Sequence, residues 1–181
     1  MNLSDLPAGV DDPVEMLLMF HRRIERHLAE LGRLPAHIEA HGLDGEALRV
    51  AAATLTCFGP AALQHHADEE RELLPMLERR IPDGGARNAF KALQRQLEGD
   101  HREIERAWRG IRRPLEAIAE GIVRRLPEDE IRYFRALVAT HISAEESALH
   151  LLALRHLDSG DRVRLALRMR ARRERALRAA G

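Results

Sequence analysis

An internal repeat limits the possible folds of this 181-residue chain more than any other feature. Residues 21–26, HRRIER, return eighty residues later as residues 101–106, HREIER. A second pair follows, because residues 65–73, HHADEEREL, are echoed by residues 141–149, HISAEESAL. The order of the four segments is A, B, A, B. We therefore predict two similar helical hairpins that pack as an up-down four-helix bundle with a duplicated helical hairpin.

Proline and glycine divide the chain into long stretches with helical periodicity, and aromatic residues make up only 3% of it. Alternating apolar runs are too scarce for a sheet, so the predicted fold class is all-α. We expect an irregular N-terminal lead at 1–12, the bundle at 13–157 and a basic C-terminal helix at 158–181. Within these limits the predicted helices are 13–31, ending near Gly32 and Pro35, then 44–80 with an irregularity at Gly59-Pro60, 86–120, 127–157 and a short fifth helix.

The charge of the chain is balanced overall but uneven along its length. There are 29 basic and 29 acidic residues, and the segment 161–178 holds eight arginines against two acidic residues. Val163, Leu167, Met169 and Leu177 give this tail an apolar side. We therefore expect it to pack on the bundle with its arginines solvated, and we expect no nucleic-acid partner.

The single cysteine, Cys57, cannot form an internal disulfide, and it is interpreted as a small core residue rather than a redox thiol. No N-terminal stretch resembles a signal peptide, and no uncharged run approaches the roughly 18 to 20 residues of a membrane span. The expected location is the cytoplasm.

Each predicted bundle helix contains one His-x3-Glu element. The four pairs are His21/Glu25, His65/Glu69, His101/Glu105 and His141/Glu145. Positions i and i+4 share one helix face, and the histidines are in register with apolar residues, so we expect all four pairs to point inward. Burying several ionisable groups is costly unless each has a partner, and bound cations explain the pattern most simply.

Imidazole and carboxylate ligands together suit Fe, Mn or Zn, and carboxylates bridge metal pairs in helical bundles. A dinuclear centre is the hypothesis that follows. The alternative is a bundle without metal in which the pairs form His–Glu hydrogen bonds.

These elements resemble the bacterial hemerythrin-like group called the HHE cation-binding domain. The segments that carry the resemblance are Phe20-His21-Arg22, 65–75 (HHADEERELLP), 100–104 (DHREI) and 141–146 (HISAEE). The resemblance implies two non-haem, carboxylate-bridged irons with His21, His65, His101 and His141 as terminal ligands and Glu69 and Glu145 as bridges. Glu25, Glu105, His66 and Glu70 are possible additional ligands, and His66/Glu70 remains an alternative to His65/Glu69.

The sequence departs from the oxygen-carrying hemerythrins at one position. Those proteins place a second histidine one turn along the third helix, where this chain has Glu105. We therefore do not transfer reversible oxygen carriage. The predicted function is to bind or sense O2, NO or peroxide, or to handle iron, with no catalytic residue assigned. The alternatives are a peroxidase- or catalase-like di-iron enzyme and a structural metal-binding bundle without catalysis.

Overall fold

The computed structural model describes residues 12–122 and 125–180, and these residues are almost entirely helical, with no strand among them. The α-helices are α1 (Pro13–His41), α2 (Gly45–Thr56), α3 (Ala62–Asp68), α4 (Leu74–Arg80), α5 (Gly85–Ala119), α6 (Glu128–Ala144), α7 (His150–His156) and α8 (Ser159–Ala180). Three π-helical turns link some of them, namely π1 (Cys57–Ala61), π2 (Glu69–Leu73) and π3 (Glu145–Leu149). The all-α prediction is confirmed. Within the described ranges, no helix is both long and apolar enough to cross a membrane.

The helix starts follow the capping residues in the sequence. Asp12 Oδ1 accepts a hydrogen bond from Val14 N at 2.8 Å, and Asp44 Oδ1 accepts one from Ala47 N at 2.9 Å. These contacts satisfy backbone donors that have no partner within the first turn of a helix. Of the predicted lead, residues 1–11 lie outside the described residues.

The predicted break at Gly32 and Pro35 is wrong, because α1 continues to His41. Gly32 leaves room for the Arg135 side chain, since a Cβ at this position would collide with the guanidinium. Leu31 and Leu34 are both buried. Burial on both sides of the glycine therefore outweighs the local helix-breaking tendency.

Two of the helical runs contain π turns. The first, residues 45–80, is kinked within π1 at the predicted Gly59-Pro60 irregularity, because Gly59 has non-helical backbone angles of φ −86° and ψ −110°. It also includes π2, which ends just before Leu74 and Pro75. The second run, residues 128–156, includes π3. These turns decide which side chains are buried.

Buried residues recur at every fourth position along both π-containing runs. In the first run they are Cys57, Ala61, His65, Glu69, Leu73, Leu77 and Ile81, and in the second His141, Glu145, Leu149, Ala153 and Leu157. Four residues exceed one α-helical turn by about 40°, so such a series would drift around a regular helix. A π turn holds one more residue per turn and corrects the drift.

The contacts divide the described chain into two compact units. Unit 1 comprises 12–20, 63–98 and 143–180, and unit 2 comprises 21–62, 99–122 and 125–142. The core of unit 1 includes Leu73, Leu77, Leu149 and Met169. Unit 2 contains an aromatic cluster in which the Phe58 and Phe134 rings meet edge-on at 4.9 Å and the Trp108 ring lies 5.7 Å from both.

The C-terminal helix packs through an apolar side, as expected, but with a different set of residues and with arginines that are not all solvated. α8 has 22 residues, and its buried side chains include Leu165 and Met169, whereas Val163 and Leu167 are 55% and 58% exposed. Its arginines are not all solvated, because Arg173 pairs with the buried Asp68 at 3.0 Å. The tail is thus part of the packed structure of unit 1.

Candidate metal centre

His65 and Glu69 form a buried pair in unit 1. His65 Nε2 lies 3.3 Å from Glu69 Oε1, and their side chains are 2% and 0% exposed. The pair spans the junction of α3 and π2, since Glu69 is the first residue of that turn. The Phe20 ring packs against His65 with 4.5 Å between ring centroids. The aromatic ring of Phe20 therefore packs beside the buried His65–Glu69 pair.

His101 and His141 come together in unit 2, with ring centroids 4.7 Å apart and the rings at 74° to each other. Asp100 Oδ2 lies 3.6 Å from His141 Nδ1. Metal-binding histidines commonly have a carboxylate near the ring nitrogen that does not bind the metal. Sequence reasoning gave Asp100 no role, although it directly precedes His101 in the motif.

Two groups of buried ligand residues share both predicted bridging glutamates. The groups are His21, His65, Glu69 and Glu145, and Glu69, His101, His141 and Glu145. In each group, one ligand atom from every residue lies within 4.8 Å of the others. Imidazole nitrogen and carboxylate oxygen suit Fe, Mn and Zn. The donors present thus fit a transition-metal ion in each group.

The second histidine of helix α3 also lies near this cluster. His66 is half-buried and belongs to a third ligand group with His101 and His141. Its predicted partner Glu70 is half-buried and joins no such group among the described residues. Burial therefore favours His65 over His66, and Glu69, unlike Glu70, belongs to ligand groups among the described residues.

The expected inward orientation of all four glutamates is wrong for Glu25 and Glu105. Both are exposed, and Glu105 accepts a hydrogen bond from Arg109 at 3.2 Å. Neither belongs to a ligand group within the described ranges.

Glu25 and Glu105 lie in regular α-helices, whereas Glu69 and Glu145 are the first residues of π turns. This difference explains their exposure. In α1 and α5, the next buried residues after the histidines are Ile24 and Ile104, three positions on. The glutamates stand one position further and fall outside the buried stripe. An isoleucine three residues after the histidine, Ile24 or Ile104, is the sequence signal that distinguishes the pairs with an exposed glutamate from those with a buried one.

Two further side chains show what burial does to ionisable groups. Cys57 is fully buried, and burial raises the pKa of its thiol to about 12, as expected for a core residue. Burial also raises the pKa of Asp68 to about 6, although Arg173 and Arg172 lower it.

Comparison with known proteins agrees with the motifs. The chain matches the hemerythrin HHE cation-binding domain over residues 12–153, which contain both groups of four ligand residues. It is also similar to an uncharacterised protein of Haemophilus influenzae (strain ATCC 51907 / DSM 11121 / KW20 / Rd), with 27% identity over 139 residues, or 77% of each chain. The family match covers well over half of the sequence and a helical fold that carries buried histidine and glutamate ligands. The chain therefore belongs to the hemerythrin HHE cation-binding family.

Proposed function

We propose that this protein is a non-haem di-iron protein that binds or senses a small molecule such as O2, NO or peroxide. The observation that carries the proposal is the sharing of Glu69 and Glu145 by two buried groups of ligand residues. A carboxylate has two oxygens and can serve one ion with each. Two shared carboxylates are the arrangement expected of a bridged metal pair in a helical bundle.

The residues proposed to hold the first ion are His21 and His65, and those proposed for the second are His101 and His141, with Glu69 and Glu145 serving both. Two six-coordinate ions offer about twelve positions, of which four imidazoles and two bridging carboxylates fill about eight. The remaining positions can accept a small exogenous ligand. Iron, when bound, supplies redox-active positions at which a diatomic molecule or peroxide can coordinate.

The surrounding residues favour binding of a small ligand over open exchange with water. Glu69 and Glu145 are fully buried, and the Phe20 ring covers one side of His65. The carboxylate of Asp100 lies 3.6 Å from His141 Nδ1, next to one of the proposed ligands. These side chains orient the ligands and limit the access of bulk water.

The test is a metal analysis and ligand titration of the purified protein. We expect two irons per chain and a change in the visible spectrum when the reduced protein is exposed to NO or O2. The variant His141→Ala should lose most of the iron, whereas the matched variant His41→Ala, at an exposed histidine, should keep it. Peroxide turnover would favour the enzymatic alternative. Zinc alone, with no spectral response to any of these ligands, would contradict the proposal and favour a structural metal site.

A further inference from the structure

The C-terminal helix α8 packs in the same core as the π turns of unit 1. Leu165 and Met169 are fully buried, and they share this core with Leu73 of π2 and Leu149 of π3. Such burial fixes the position of α8 along its length. The arginines that follow Met169 are thereby placed beside the start of π2.

These arginines enclose the buried carboxylate of Asp68. Arg172 Nε lies 3.2 Å from Asp68 Oδ1, and Arg173 donates to Asp68 Oδ2 from Nε at 3.1 Å and from Nη2 at 3.0 Å. The Asp68 side chain is 0% exposed. Two guanidinium groups therefore compensate one buried charge, which is the condition under which a buried ion pair persists.

A second carboxylate on the same face of the helix completes the contact. Arg172 also donates to Glu72, and Arg168 Nη1 lies 3.5 Å from Glu72 Oε2. Asp68 immediately precedes π2 and Glu72 is its fourth residue. The arginines of α8 thus hold the π turn at both ends.

The position of Asp68 gives this contact a link to the metal centre. Asp68 and Glu69 are consecutive, and consecutive side chains on a helix point about 100° apart. Both are fully buried, but Asp68 meets arginines of α8 whereas Glu69 lies beside His65. A π turn is a rare local geometry. Any relaxation of π2 toward a regular helix would turn its residues relative to His65.

We propose that Arg172 and Arg173 are positioning residues for the metal centre, because they hold π2 in the geometry that directs Glu69 toward its ligand group. This inference rests on the proposed function. It assigns to α8 a role that the ligands themselves do not perform, namely to preorganise the carboxylate of Glu69 through contacts to the neighbouring Asp68 and to Glu72.

The experiment compares iron affinity and apoprotein stability in the full-length chain. The double variant Arg172→Ala/Arg173→Ala should bind iron about 10-fold to 100-fold more weakly, the range seen when residues that orient metal ligands are replaced. Its spectrum with bound iron should also change, since a displaced bridge alters the ligand field. The control Arg175→Ala, at an exposed arginine of the same helix, should leave both unchanged.

A second variant covers the case in which the double alanine variant does not fold. Arg172→Lys/Arg173→Lys keeps both charges but loses the paired guanidinium geometry, and it should give an intermediate loss of affinity. If the folded variants bind iron as tightly as the wild type with the same spectrum, and only the melting temperature of the apoprotein falls, the arginines are merely structural and the inference is overturned. If the wild type itself binds no iron, the proposed function fails first.

Discussion

The two π turns of unit 1 start from the same repeated motif but are supported in different ways. Both begin at a fully buried glutamate, Glu69 in π2 and Glu145 in π3, and both end at a fully buried leucine of the same core. Around π2, Asp68 and Glu72 pair with arginines of α8. The corresponding positions in the second repeat are Ala144 and Ala148.

The difference distinguishes the residues of the proposed metal centre from those that pack against the rest of unit 1. The repeat keeps histidine, glutamate and leucine at the positions that are buried at four-residue spacing. It differs where the helix faces its neighbours. Ala148 lines an apolar cavity of about 580 Å³ that also includes Phe90 and Leu152, whereas Glu72 is covered by α8. The shared residues include the histidine and the first glutamate of the proposed centre, the second glutamate and the core leucine, whereas Asp68 and Glu72 are replaced by alanines in the second repeat.

The largest effect is expected from removing a metal-binding oxygen in either turn. Glu69→Gln and Glu145→Gln should each reduce the metal content from two ions per chain to one or none, since each glutamate belongs to both ligand groups. Elemental analysis of purified variants measures this. The matched variants Glu25→Gln and Glu105→Gln, at exposed positions, should retain both ions. Full metal content in Glu145→Gln alone would show that the two turns are not equivalent.

The leucines that close the turns should contribute equally to stability. Leu73→Ala and Leu149→Ala each remove a fully buried side chain from one core, so each should lower the free energy of unfolding by about 2–5 kcal/mol. Chemical denaturation of the apoproteins measures the loss. Leu151→Ala, at a residue that is 58% exposed, serves as the control and should cost far less. If only one of the two variants were destabilised, the prediction that both leucines contribute equally to stability would be wrong.

Sequence patterns predicted the fold class but not the π turns. The repeat was sufficient to predict an all-α fold. The His-x3-Glu elements indicated four histidines and four glutamates, and only the resemblance to the HHE domain singled out Glu69 and Glu145, which the structure places in two candidate ligand groups. The repeat and the His-x3-Glu elements were insufficient to predict the π turns, because a π turn arises from packing along the whole run rather than from local propensity. The inward orientation of Glu25 and Glu105 was predicted wrongly for the same reason.

Local sequence patterns also failed to identify which face of α8 is buried. Of its expected apolar side, Met169 is buried, together with Leu165, whereas Val163 and Leu167 are exposed. The side chain of Leu177 lies outside the described residues. In an arginine-rich helix with sparse apolar residues, the face that docks depends on partners elsewhere in the chain. Here that partner is Asp68, which is distant in sequence and was assigned no role.

A new charge just before π3 should test whether the arginines of α8 are needed to tolerate the charge of Asp68 just before π2. Ala144→Asp places a carboxylate at the position equivalent to Asp68, where the partly buried Ala144 packs against the core. We expect a loss of about 1–3 kcal/mol in the free energy of unfolding, because a carboxylate at this partly buried position against an apolar core loses its hydration. Ala144→Ser is the milder control. If Ala144→Asp were as stable as the wild type, a carboxylate just before a π turn would not need the paired arginines that Asp68 has.

The smallest effect concerns the start of α8, where Arg80 donates to Asp161 at 2.9 Å. This hydrogen bond lowers the pKa of Asp161 to about 2, below the roughly 3.9 of an unfolded chain. The stabilisation is therefore fully present above about pH 4 and is lost as the pH falls towards about 2. Melting temperatures of the wild type and Asp161→Asn should differ at neutral pH and converge on acidification. A difference that is constant with pH would exclude this origin.

The central claim is that Glu69 and Glu145 bridge two irons, and anomalous diffraction from iron-loaded crystals at the iron absorption edge tests it most directly. We predict two peaks, each bordered by two of the four histidines and both adjoining the two glutamates. A single peak, or two peaks that share neither carboxylate, would contradict the claim.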